Sequence, residues 1–133
     1  MERPKETLGP ILRRVLAADA VLEAVIGVVL LGLVGKPHVW LDVDRGVTLI
    51  AAGVFLVAAV AVAVAAALPR TSAGFVQQLA FANVAGGLTL WAVLALQWDD
   101  FRTEGRWLVA AAADAFVLIG LVEVFALRRD EAG

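Results

Sequence analysis

The stretch Val47-Thr-Leu-Ile-Ala-Ala-Gly-Val-Phe-Leu-Val-Ala-Ala-Val-Ala-Val-Ala-Val-Ala-Ala-Ala-Leu68 decides the fold. It is bounded by Arg45 and Arg70, and Thr48 is its one polar side chain. As a helix rising 1.5 Å per residue it is ~33 Å long, enough to cross a hydrocarbon core of about 30 Å. A buried strand does not run so far, and a helix of a water-soluble protein shows a polar face. The stretch reads as a membrane span.

Three more spans follow from it. The chain has 133 residues, of which 62% are hydrophobic, against ~45–50% apolar in an ordinary globular domain. Four crossings of ~20 residues with short loops nearly exhaust that length. The expected fold class is therefore all-α: four antiparallel transmembrane helices in one bundle over residues 1–133, with spans at 11–34, 46–68, 73–96 and 106–127. Pro10 suits a first helical turn, and Gly35-Lys36-Pro37 and Pro69-Arg70 read as stops. Thr71 or Ser72 can cap the third helix. The N-terminal basic residues have the sign of a signal peptide. The apolar run after them is too long for one and carries Asp19 and Glu23, so an uncleaved first span is expected.

Lys and Arg favour the cytoplasmic side. Arg3, Lys5, Arg13, Arg14, Arg70, Arg128 and Arg129 fall on one side of the four-span scheme; Lys36, Arg45, Arg102 and Arg106 fall on the other. Both termini are accordingly expected in the cytoplasm, with the protein in a bacterial inner (plasma) membrane. Trp40, Trp98 and Trp107 sit at the opposite interface, where aromatic anchors belong. Small residues are abundant on spans two to four, including Ala82-x-x-x-Gly86, and allow close helix approach within the bundle.

The candidate functional residues are the polar groups inside the spans, because each ionisable one costs about 2.5–3.5 kcal/mol at mid-helix on insertion scales. They are Asp19 and Glu23 in span one, Asn83 in span three, and Asp114 and Glu123 in span four. Asp19 and Glu23 are i, i+4 neighbours on one face. Counting from the inner boundary, Asp19 and Glu123 lie level at ~8 Å, and Glu23 and Asn83 level at ~14 Å. If spans one and four touch, Asp19 and Glu123 can share a proton, since close like charges do not both ionise. Asp114 faces nearly the opposite side of its helix from Glu123 and falls outside that group.

Three readings of these residues compete. In the first, Glu23 and Asn83 hold spans one and three together, while Asp19 and Glu123 snorkel or pair with Arg13, Arg14 and Arg128. In the second, Glu23 and Asp19 relay a proton or cation. In the third, they form a polar point in a groove for a lipid or isoprenoid. The expected function is accordingly a non-enzymatic membrane protein, either an accessory subunit or a self-associating bundle. A small proton- or cation-coupled transporter is the alternative, and lipid binding between helices the second. The absence of cysteine excludes disulfides and thiol chemistry. There is no nucleophile–base pairing, phosphate loop or haem histidine pair, so no catalytic residue and no cofactor are expected. His38 with Asp42 and Asp44 is a poor metal set, and no metal site is expected. Expected partners are membrane lipids and other membrane subunits or a second copy, with no nucleic acid.

Arg13-Arg14 followed by Asp19-Ala20, Arg45-Gly46 opening span two, and Ala82-Asn83 in span three together resemble the pattern of small bacterial four-helix integral membrane proteins. The resemblance covers most of the chain and implies a fold and no activity. It marks Asp19, Arg45 and Asn83. Such proteins often carry a Trp four residues after the Asn; here that place is Gly87, and the nearest Trp is Trp91.

Overall fold

The computed structural model describes residues 8–35 and 44–132. Its helices are α1 (Pro10–Leu33), α2 (Arg45–Ala67), α3 (Ala73–Leu96) and α4 (Thr103–Ala132), with a 3-10 turn at Trp98–Asp100 between the last two. All four are long and apolar enough to cross a membrane. Arg3, Lys5, Lys36, Pro37, His38, Trp40 and Asp42, singled out in the sequence, lie outside the described residues.

The boundaries have local causes. Pro10 opens α1, where its missing N–H is not needed. Gly9, just before it, has no side chain to cap with, and its N–H donates instead to Asp130 Oδ2 of α4 at 2.7 Å. Asp44 caps α2, accepting from Gly46 N at 2.8 Å and Val47 N at 3.3 Å. Of the two candidate caps of α3, Ser72 serves, accepting from Phe75 N at 3.2 Å. Thr71 instead donates to Ala65 O at 2.7 Å, tying the turn back onto α2. The fourth helix differs from its sequence expectation, starting at Thr103 and continuing to Ala132. Glu104 in its first turn and Arg129 in its last both complement the helix dipole, and no proline interrupts the run.

The helices pack as two pairs, α1 with α2 and α3 with α4, joined along α1 and α4. Phe55 of α2 stacks on Phe116 of α4, ring centroids 5.5 Å apart, adding a cross-pair contact. Glycine permits the closest approaches. A Cβ on Gly120 would stand 2.7 Å from Ala80 O and 3.1 Å from Asn83 Cβ. One on Gly87 would stand 2.6 Å from Ala113 O. The α3–α4 backbones therefore meet where Asn83 is held.

Polarity is distributed in reverse of a water-soluble protein. Asp19, Glu23, Thr48, Asn83 and Glu123 are buried, while large apolar side chains such as Ile50 (70% exposed) and Phe81 (75%) face outward. Such a surface suits hydrocarbon, which needs no polar cover. Two apolar clusters close the interior. One, at the ends nearest the termini, contains Leu12, Leu16, Val62, Val76 and Ala126. The other, at the opposite end, is built on Leu94 and Phe101.

Replacing Gly120 by alanine forces the α3 and α4 backbones apart. The expected loss is about 1–3 kcal/mol, read as a lower midpoint in an SDS-unfolding titration in mixed micelles. Gly53→Ala serves as the control: nothing lies within 4 Å of its added methyl group, and its midpoint should not fall.

Candidate functional site: a buried carboxyl–amide layer

Between the two apolar clusters lies a polar layer drawn from three helices. Asn83 of α3 is its hub. Its Nδ2 donates to Asp19 Oδ2 of α1 at 3.0 Å and to Glu123 Oε2 of α4 at 3.1 Å. Asp19 and Glu123 are fully buried, Asn83 and Glu23 nearly so. The Asp19 and Glu123 carboxyls thus meet on one amide nitrogen.

The layer is incompletely satisfied. Asp19 Oδ1, Glu123 Oε1 and Glu23 Oε2 are buried and have no hydrogen-bond partner. Glu23 sits one turn beyond Asp19 on α1. Further along the bundle, toward the Leu94–Phe101 end, is a cavity of about 280 Å³ among all four helices, lined by residues such as Ile26, Leu30, Phe55 and Leu90. That lining is wholly apolar. Among the described residues, no three His, Cys, Asp or Glu side chains group as metal ligands.

The structure thus brings Asp19, Glu123 and Asn83 into direct contact and leaves Asp114 elsewhere. Two details of the sequence reading are corrected. Asn83 bonds Asp19 and Glu123, not Glu23. Counting rungs from Cα positions neglects the lean of each side chain toward its own helix N-terminus. Asn83 leans toward the level of Asp19, and the longer Glu123 leans to meet it. Nor do Asp19 and Glu123 snorkel toward arginine. Both stay fully buried, and Arg13 Nη2 donates to Leu68 O at 3.3 Å.

Asp114 lies on the exposed side of α4 and accepts from Trp91 Nε1 at 2.9 Å. The sequence reading did not foresee that pairing. The two residues sit 23 positions apart on neighbouring helices, and only the α3–α4 register reveals them as partners. At the 3-10 end, Arg106 stacks over Trp98, its Cζ 4.6 Å from the ring centroid, and donates through Nε to Trp98 O at 2.8 Å. Trp98 and Trp107 are both exposed there.

Comparison with protein-family models, with curated proteins and with solved structures finds no match. The functional reading rests on the chain's own geometry.

Removing the hub strands two buried carboxyls. Asn83→Ala is expected to lower stability by about 1–3 kcal/mol, the penalty of leaving buried groups unpaired. Trp91→Phe deletes one peripheral bond and should cost about 0.6 kcal/mol, the average for hydrogen bonds between membrane helices. Equal SDS-unfolding midpoints for the two variants would show that Asn83 does not hold the layer.

Proposed function

We propose that this chain is a non-enzymatic, multi-pass protein of a bacterial inner membrane that passes protons, or a small cation exchanged for them, through the Asp19–Asn83–Glu123 layer and Glu23. In this reading its four helices are antiparallel and both termini are cytoplasmic. One observation carries the proposal: three buried carboxyl oxygens, one from each acid, have no donor. A layer serving only to bind helices together is expected to close its hydrogen bonds, because an open buried polar group is costly. Open carboxyl oxygens at that depth are acceptors for a mobile proton or cation, and ionisable groups inside membranes commonly mark ion paths. Asn83 positions Asp19 and Glu123, which share a proton; Glu23, without a fixed partner, takes it up or hands it on. The apolar clusters on either side close the layer to both aqueous faces. Passage therefore requires each cluster to open in turn.

A second reading, an accessory subunit or self-associating bundle, is favoured by a different observation. Ala82 and Gly86 are exposed, and nothing lies within 4 Å of a Cβ on Gly86. This small-residue pair is not consumed in packing the bundle, in contrast to the expectation from sequence. The orientation rests on the basic-residue asymmetry, seven on the terminal side against four opposite.

The transport reading is tested in proteoliposomes carrying an internal pH dye, with a potassium–valinomycin potential driving protons inward. Wild type should acidify the lumen well above protein-free vesicles, Glu23→Gln should lose at least ~10-fold of that rate, comparable to removing one positioned proton-transfer group, and Asp114→Asn should match wild type. Wild-type flux equal to empty vesicles, or Glu23→Gln equal to wild type, ends the proposal. Orientation is read separately, since the chain has no native cysteine. In intact cells an impermeant maleimide should label Thr103→Cys and reach Ala132→Cys only after permeabilisation; the reverse pattern inverts the topology.

A further inference from the structure

A second feature lies on the other side of α1, away from the polar layer. Where α1 meets α2, the two helices face each other largely through alanine. Ala20 and Ala59 are buried at the floor of the contact, while Val21 and Val60 stand exposed at its edges. Methyl groups there do not fill the space between two helical cylinders, and a furrow of about 660 Å³ remains. It is an open groove along the helix pair, not an enclosed cavity. The furrow runs along α1 from Arg13 to Ala24, ~16 Å by helical rise, which matches the roughly 15 Å of hydrocarbon in one leaflet.

Its chemistry is uneven along that length. The lining is aliphatic except at one end, where Arg13 closes it. Its Nη2 donates to Leu68 O at 3.3 Å. Only one of its five N–H donors is used in that bond. Arg70, two residues past Leu68, adds an exposed cation at the same end of the helix pair. A cation at the headgroup level above an apolar furrow one leaflet deep is complementary to one molecular class: a lipid with an anionic head and a straight acyl chain.

We propose that the α1–α2 furrow binds one acyl chain of an anionic phospholipid, with the phosphate held by Arg13. Guanidinium matches phosphate oxygens in a two-point geometry that a zwitterionic head, with its own ammonium, partly occupies for itself. The alanines set the width to a single chain, and Arg13 sets the headgroup. This site is independent of the proton-transfer reading, shares no acidic residue with it, and stands or falls separately.

The test is native mass spectrometry of the delipidated full chain, titrated with phosphatidylglycerol and, in parallel, with phosphatidylcholine of the same acyl chains. Wild type should hold one phosphatidylglycerol at about fivefold lower concentration than phosphatidylcholine, the ratio expected for one basic group at a membrane surface. Arg13→Gln should erase that preference while chain binding persists. Ala63→Phe fills the furrow and should remove the first adduct of either lipid. Ala63→Leu, a smaller plug, guards against misfolding, and both variants must keep the wild-type circular dichroism. Equal affinity for the two lipids in wild type overturns the proposal. So does an unchanged first adduct in a folded plugged variant. A dimer that the plug converts to monomer, with lipid binding unaffected, assigns the furrow to a second copy and overturns it as well.

Discussion

The bond pair from the Asn83 amide to Asp19 and Glu123 is the constraint on which the rest of the bundle depends. In hydrocarbon the hydrophobic effect does not draw one apolar helix to another. What selects one arrangement over its alternatives is close backbone contact and the pairing of polar groups that lipid cannot solvate. Here the two act at one place. Gly120 lets α4 approach the turn of α3 that carries Asn83, and the amide then spans the gap to acids on two other helices. A rotation of α1 or α4 would expose a carboxyl to lipid, and one of α3 would withdraw the amide from both acids.

That arrangement separates the acids by role. Asp19 and Glu123 are anchored by the same amide, whereas Glu23, one turn away, has a buried oxygen without a partner. A buried polar network confers specificity when closed and reactivity where it is open. The layer has both parts, and on the proposed function the open part is where a mobile ion binds. Asp114 shows the contrasting solution, an outward carboxyl answered by a neighbouring indole.

The sequence disclosed the bundle more fully than the site. An uninterrupted apolar run such as residues 47–68 has one physical solution at that length, and Ser72 and Pro10 carry local chemistry that places helix starts. Depth along a helix was also legible: the count of residues put Asp19 and Glu123 on one level, and the structure brings both onto the Asn83 amide. Partners were less so. Which acid Asn83 would meet depended on side-chain lean and helix rotation, quantities with no signature in a single chain of alanine and valine. The length of α4 was missed because Thr103, Glu104 and Gly105 look like loop residues, yet nothing in them forbids a helical turn. Ala82 and Gly86 were expected inside and face outward, since a small residue marks a close approach without saying to what.

The pairing has a consequence for how the chain is made. Asp19 and its partner Asn83 are 64 residues apart. At a synthesis rate of about 5–20 residues per second, ~3–13 s separate their emergence from the ribosome. The α1–α2 hairpin is thus complete before any group of α3 or α4 exists to receive Asp19 and Glu23. During that interval the two acids must be shielded by the insertion machinery, by water drawn into the bilayer, or by protonation. The first hairpin is a waiting intermediate, and the arrival of the second is the event that seals it.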